Sequence, residues 1–317
     1  MQKPDILMTK PMLPIVEEQL DAEFNVHRLH QAEDKQAMLA EIGDRIRGVA
    51  LSWARVDEAF LKQLPNVEIV SSFGVGYDHV DTDACLKAQV MVTHTPDVLT
   101  EEVADTAIGL MIMTVRELGQ AEQYLRNGHW KPNAPYPLTQ ATLQGRTLGI
   151  FGLGRIGKAI AKRAESFGLS IHYHGRSQQP GVDYPYHASL EGLAAACDTL
   201  MVVAPGGAET QHAVNAEVLK ALGPAGVVIN IGRGSVIDEA ALVAALEDGT
   251  IYGAGLDVFE HEPRVPDSLL KLPRVTALPH VGSASQATRN DMGQLVVDNL
   301  KNWFATGRPL TPVPEMK

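Results

Sequence analysis

Gly152-Leu153-Gly154-Arg155-Ile156-Gly157 follows the apolar run Leu148-Gly149-Ile150-Phe151 and leads into Lys158-Ala159-Ile160-Ala161-Lys162-Arg163. Strand, glycine spacing and helix together make the context of a dinucleotide fingerprint. The first glycine allows a tight turn, the second lets the backbone approach a pyrophosphate, and the third lets helix pack closely on strand. Backbone N–H groups and the positive end of the helix dipole would hold the pyrophosphate. The spacing alone also describes a turn with no ligand; the two flanks are what favour the fingerprint.

Outward from this point, short apolar runs alternate with helix-patterned stretches. Downstream they are Ser170-His174, Thr199-Ala204, Val227-Ile231, Gly253-Val258 and Val275-Leu278; upstream they are Ile6-Met8, Phe24-Leu29, Val49-Trp53, Val67-Phe73 and Val90-Thr95. Such alternation marks βα units and parallel sheets. Between the two series, Thr100-Glu101-Glu102 opens a helix expected to run unbroken through Leu110 and Leu118 towards Leu125, with Thr100 as its N-cap. A Pro-rich polar segment from Lys131 to Gln140 follows, and a last helix from about Ser285 to Phe304 suits a return to the first domain. The expected fold is α/β, with two doubly wound parallel-sheet domains. Residues 1–98 plus 283–317 form a flavodoxin-like substrate domain, residues 99–282 form a Rossmann NAD(P)-binding domain, and the active site is the cleft between them.

Composition narrows the partners. With 27 Lys and Arg against 38 Asp and Glu, the net charge of -11 repels phosphate backbones and anionic lipid, so neither nucleic acid nor membrane is an expected partner. Cys85 and Cys197 have no metal-ligand spacing and read as buried structural thiols, and no metal is expected. The start of the chain lacks the apolar stretch of a signal peptide, and no segment runs 18 residues without polar interruption. A cytoplasmic protein is expected. His79, His172, His174, His212 and His261 also lack ligand spacing and read as structural.

The end of the strand after the fingerprint chooses the cofactor, because an Asp or Glu there normally binds the ribose 2′-OH. Here the strand ends Tyr173-His174-Gly175-Arg176-Ser177. The acid's slot is taken by Gly175, and Arg176 and Ser177 suit a 2′-phosphate, so NADP(H) is expected ahead of NAD(H). Three more polar residues, Arg233, Glu262 and His280, each follow an apolar run. In a parallel sheet the C-terminal strand ends converge on the ligand crevice, so the three can gather round one substrate. Singly, they also read as a surface Arg, a solvated acid and a loop His.

Val228-Ile229-Asn230-Ile231-Gly232-Arg233-Gly234, Gly255-Leu256-Asp257-Val258-Phe259-Glu260-His261-Glu262-Pro263 and Leu278-Pro279-His280-Val281-Gly282-Ser283 closely resemble the three signatures of the D-isomer-specific 2-hydroxyacid dehydrogenases. The similarity covers almost the whole chain and is strongest between Gly145 and Ser285. Within that family the chain looks most like the glyoxylate, hydroxypyruvate and hydroxyphenylpyruvate reductases, whose members often use NADPH.

The resemblance implies reduction of a small 2-oxo acid to a D-2-hydroxy acid by hydride transfer. Arg233 would bind the substrate carboxylate and 2-oxo oxygen, His280 would give that oxygen a proton, and Glu262 would orient His280 and stabilise its cationic form. Cofactor contacts would come from Gly152, Leu153, Gly154, Arg155, Ile156, Gly157, Gly175, Arg176, Ser177, Ala204, Pro205, Ile231, Gly232, Arg233, Asp257, His280 and Gly282. Ser72-Phe73-Gly74-Val75-Gly76-Tyr77-Asp78 resembles the family's substrate loop, where the N–H groups of Val75 and Gly76 would face the acid. Leu51, Ser52, Phe73, Tyr77 and Trp130 are candidates to line the pocket. Trp130 on its own reads as a core aromatic, but it resembles a family position that reaches the neighbouring subunit, which implies a homodimer.

Two rivals keep the fold and change the function. One is a cofactor-sensing binding protein resembling the C-terminal-binding corepressors, which would need a peptide groove that nothing in the chain marks. The other is formate oxidation. That branch carries Gln where Glu262 stands, and its reaction has no oxo oxygen to protonate.

Overall fold

The computed structural model describes residues 3–317. In chain order its elements are β1 (Asp5–Met8), α1 (Pro14–Glu23), β2 (Asn25–Arg28), α2 (Lys35–Ile42), β3 (Ile46–Leu51), α3 (Glu58–Lys62), β4 (Ile69–Ser72), α4 (Thr82–Lys87), β5 (Met91–Thr93), α5 (Thr100–Val115), α6 (Leu118–Arg126) and β6 (Thr147–Phe151). There follow α7 (Arg155–Ser166), β7 (Ser170–His174), α8 (Leu190–Ala195), β8 (Thr199–Val202), α9 (Ala216–Leu222), β9 (Val227–Asn230), α10 (Glu239–Glu247), β10 (Gly253–Leu256), α11 (Asp267–Leu270), β11 (Val275–Ala277) and α12 (Gln286–Thr306). The chain divides into two units: one holds the sequence up to Leu99 together with Ala284–Lys317, the other Thr100–Ser283.

The first unit is a five-stranded parallel sheet in the order β2-β1-β3-β4-β5. Its inner strands are buried on both faces, which is why they read as unbroken apolar runs. One face packs Val16 and Leu20 of α1 and Val296, Val297 and Leu300 of α12 against Ile6, Met8 and Ile69. The other buries Leu7, Val49, Val70 and Val92 beneath Leu39, Leu61 and Cys85. Leu51 is fully buried in this second cluster, so it belongs to the core and lines no pocket.

The second unit is a six-stranded parallel sheet in the order β11-β10-β9-β8-β6-β7. The order reverses between β6 and β8, which is where a ligand crevice opens at the C-terminal strand ends. Asn215 and Asp238 cap α9 and α10 by accepting the Val218 and Ala241 N–H groups, so each helix starts sharply after its strand-end loop. On the opposite face α5 lies so close to β10 that a Cβ on Gly255 would sit 2.4 Å from Thr114 Oγ1.

The unbroken helix expected from Thr100 to Leu125 is two helices. Glu117 adopts a left-handed backbone (φ 52°) between α5 and α6, and its carboxylate accepts the phenols of Tyr136 and Tyr252. The α6 helix buries none of its residues; Leu118 and Leu125 stay exposed. Trp130 is 66 % exposed and is therefore not a core aromatic. Both cysteines are buried and free of disulfides, and burial pushes the Cys85 thiol up to about 11 and the Cys197 thiol up to about 12. Among the described residues no helix is long and apolar enough to cross a membrane, and no group of three or more His, Cys, Asp or Glu is arranged to hold a metal ion.

Candidate active site

The strand order of the second unit puts the singled-out residues in a row. His280 follows β11, Glu262 follows β10, Arg233 follows β9, Ala204 and Pro205 follow β8, the fingerprint follows β6, and Gly175, Arg176 and Ser177 follow β7. Neighbours in that row are therefore neighbours in space at about 4.8 Å per strand.

His280 and Glu262 meet: His280 Nδ1 lies 2.8 Å from Glu262 Oε2. An ionised carboxylate only accepts, so Nδ1 carries the hydrogen of this bond. The other oxygen, Glu262 Oε1, accepts the Phe259 N–H at 3.0 Å. Burial alone pushes the Glu262 carboxyl up. The hydrogen bonds from His280 and Phe259, with the charges of His280 and Arg233, outweigh it and hold the carboxyl below the usual carboxylate range. Glu262 thus stays anionic beside the imidazole.

His280 has a left-handed backbone (φ 52°), a conformation that a residue with a Cβ seldom adopts. Asp257 holds it there. Its carbonyl accepts the His280 N–H at 2.8 Å, and its carboxylate oxygens accept the Val281 and Gly282 N–H groups at 2.7 and 2.8 Å. Burial pushes the Asp257 carboxyl above its ordinary range despite those two bonds. The residue expected to touch cofactor therefore commits both oxygens to the His280 turn. Arg233 is placed by Asn230, which is 1 % exposed: Asn230 Oδ1 accepts the Gly232 N–H at 3.0 Å and Nδ2 donates to the Arg233 carbonyl at 2.9 Å. Arg233 Nη1 donates back to the Gly232 carbonyl at 2.8 Å.

The glycines fit a dinucleotide. A Cβ on Gly152 (φ 100°) would lie 2.7 Å from Ala204 N, one on Gly157 would lie 2.4 Å from the Gly152 carbonyl oxygen, and one on Gly232 would lie 2.7 Å from the Ala204 carbonyl oxygen. A Cβ on Gly154, at the N-cap of α7, meets nothing within 4 Å. Three glycines are thus demanded by the fold, while the second of the fingerprint faces open space, as close approach of a pyrophosphate requires. Leu153 is buried, Ile156 is half-buried, and Gly154 and Arg155 are exposed at the start of α7.

After β7 the turn is tied down by residues to which the sequence reading assigned no role. Tyr186 Oη donates to the Gly175 carbonyl, the Gln179 N–H donates to Tyr173 Oη at 2.8 Å, and Gln179 Nε2 donates to the Leu153 carbonyl at 2.6 Å. Arg176 and Ser177 stand exposed between these anchors. Asn230 carries a signal that the sequence does contain: an Asn two residues before a glycine is an Asx turn.

In the first unit, Val75 and Gly76 lie in the turn after β4. Thr95 brackets Gly74 (φ 147°) through its Oγ1 and its N–H, and His94 Nδ1 lies 2.9 Å from the Val75 carbonyl oxygen. Phe73 lies under the Arg289 guanidinium at 5.7 Å, Tyr77 Oη donates to Glu315, and the Ser52 N–H donates to Thr9 Oγ1.

Residues 108–282 match the model of the D-isomer specific 2-hydroxyacid dehydrogenase NAD binding domain. The chain is 45% identical over 314 residues to glyoxylate/hydroxypyruvate reductase A of Arabidopsis thaliana, covering 99% of this chain and 100% of that one. It is 47% identical to hydroxyphenylpyruvate reductase of Plectranthus scutellarioides, covering 97% and 98%. Among solved structures, the NADPH-dependent glyoxylate/hydroxypyruvate reductase of Sinorhizobium meliloti in complex with NADP and malonate superposes with a TM-score of 0.93 at 52% identity, covering 99% of this chain and 98% of that one.

Proposed function

The chain belongs to the D-isomer-specific 2-hydroxyacid dehydrogenase family, and from that premise we propose that it is an NADPH-dependent reductase of small 2-oxo acids such as glyoxylate and hydroxypyruvate. The observation that carries the proposal is the His280–Glu262 pair, 2.8 Å apart, on the strand ends next to Arg233 and in one row with the fingerprint. NADPH, when bound, supplies the hydride for the 2-oxo carbon.

The protein's own groups do the rest. Arg233 binds the substrate carboxylate and stabilises charge that develops on the oxo oxygen. His280 delivers a proton from Nε2 to that oxygen, while Glu262 keeps Nδ1 protonated and the ring oriented. Gly152, Gly154 and Gly157 let the backbone cradle the pyrophosphate, and Arg176 and Ser177 hold the 2′-phosphate. Ala204, Pro205, Ile231, Gly232, Asp257 and Gly282 complete the cofactor's surroundings.

Oxidation of NADPH and of NADH, followed spectrophotometrically with glyoxylate, hydroxypyruvate and hydroxyphenylpyruvate, tests the reading. Turnover with NADPH well ahead of NADH is expected. No turnover with any of the three acids would sink it.

The exposed Leu118, Leu125, Trp130 and Leu138 of the α6 region support a homodimer, since α6 buries no apolar residue in its own unit. Sedimentation at micromolar concentration should show twice the chain mass; a fully active monomer would contradict it.

A further inference from the structure

Arg233 and Glu262 stand on different loops, one after β9 and one after β10, and the reaction needs them at a fixed separation. Two contacts tie these loops together. Gly234, next to Arg233, touches the other loop so closely that a Cβ there would sit 1.8 Å from the Phe259 carbonyl carbon. The second contact is Glu239, the first residue of α10, whose Oε1 accepts the Glu260 N–H at 2.7 Å. The preceding N–H, that of Phe259, is the one that Glu262 Oε1 accepts. Two adjacent backbone donors are thus held by two carboxylates, and the second carboxylate carries His280 on its other oxygen.

We propose that Glu239 is a positioning residue for the reduction: by holding the Glu260 N–H it fixes Glu262, and through it His280, relative to Arg233. The inference rests on the roles given above to Arg233, Glu262 and His280. Glu239 is only 8 % exposed. Burial pushes its carboxyl up, the Glu260 N–H pulls it back in part, and the negative charges of Glu260 and Glu262 raise it further. An acid can complement a helix dipole from the solvent-exposed first turn, so burying one at a desolvation cost points to its hydrogen bond. Glu260 is gripped a second time from the loop after β8: His212 Nε2 lies 2.6 Å from Glu260 Oε1, and the His212 N–H donates to the Ser235 carbonyl at 2.8 Å. The turn that bears Glu262 is therefore anchored to the loops after β9 and β8, and the hold on its Glu260 N–H is Glu239.

Two conservative variants separate reach from charge. Glu239→Asp keeps a carboxylate at the start of α10 but shortens it by about 1.5 Å, too far for the Glu260 N–H. Glu239→Gln loses the charge and keeps an acceptor at full reach. With hydroxypyruvate and NADPH, kcat of E239Q should stay within a few-fold of wild type. That of E239D should fall by about ten- to a hundredfold, the scale of a small misplacement of catalytic groups. NADPH Kd, read by fluorescence titration, should be unchanged in both, because the fingerprint is untouched. A wild-type kcat in E239D, or an E239Q as impaired as E239D, overturns the inference. Glu262→Gln runs alongside: if it turns over like wild type, the roles beneath the inference fail, whatever the Glu239 variants do.

Discussion

Gly154→Ala and Gly157→Ala, two residues of one motif, should fail in opposite ways. At Gly157 the new methyl would lie 2.4 Å from the Gly152 carbonyl oxygen, so the start of α7 must move off β6. Overpacking of this kind costs about 1–3 kcal/mol. For a unit of this size each kcal/mol lowers Tm by about 2–4 °C, which gives a loss of about 2–12 °C. At Gly154 the methyl meets nothing within 4 Å, and the backbone there (φ -82°, ψ -159°) suits alanine. Only the weaker N-cap remains, worth about 1 kcal/mol and a few degrees. The same methyl, however, fills the space a pyrophosphate needs. Losing one charge-assisted hydrogen bond costs about 1.5–3 kcal/mol, or about ten- to a hundredfold in NADPH Kd. Calorimetry and fluorescence titration read the two effects separately. A G154A protein that binds NADPH like wild type, or one that loses more Tm than G157A, would refute the division of labour.

Glu262→Gln should lower reductive kcat/KM by about ten- to a hundredfold, because the imidazole loses the carboxylate that orients it; a wild-type kcat/KM would uncouple the pair. The folded state holds the Glu262 carboxyl below its usual range, so its contribution to stability is present above the unfolded value and lost as pH falls through the depressed one. The Tm gap between wild type and E262Q should accordingly narrow on the acid side, and a gap that widens there would contradict the sign. Arg176→Ala should cost about ten- to a hundredfold in NADPH efficiency and leave NADH nearly unchanged; equal losses with both cofactors would move the 2′-phosphate elsewhere. Asp257→Asn should lower both kcat and Tm, since one amide oxygen cannot accept both N–H groups and an unsatisfied one costs about 1–3 kcal/mol; a wild-type rate would show that the His280 turn holds itself.

The strands and the glycine turn after β6 were legible because parallel strands buried on both faces write themselves as unbroken apolar runs, and the meeting of His280 with Glu262 was legible because polar residues at the ends of neighbouring strands come close. The break between α5 and α6 was not legible. Nothing local at Arg116 or Glu117 stops a helix; the left-handed turn is imposed by Tyr136 and Tyr252, both distant in sequence, binding one carboxylate. Leu51 stands at a strand end, where an apolar residue can face core or crevice, and only packing decides. The structural duty of Asp257 was not legible either, because its two backbone donors arrive from a loop more than twenty residues on. Glu239 hides best, because an acid in the first turn of a helix needs no special explanation.

The strand order also separates His280 from Arg176. From β11 to β7 there are five inter-strand spacings, about 24 Å, with His280 at one end and Arg176 at the other. Over that span substitutions at His280 and at Arg176 should act almost independently, as sites more than about 10 Å apart generally do. One residue nevertheless joins two of the loops that lie between them. Ala204, after β8, takes Gly152 of the fingerprint against its N and Gly232 of the Arg233 turn against its carbonyl oxygen, each so close that a methyl would stand 2.7 Å away. The contact lies beside the point where strand order reverses, so the fingerprint loop and the Arg233 loop share one wall of backbone, with no flexible side chain between them.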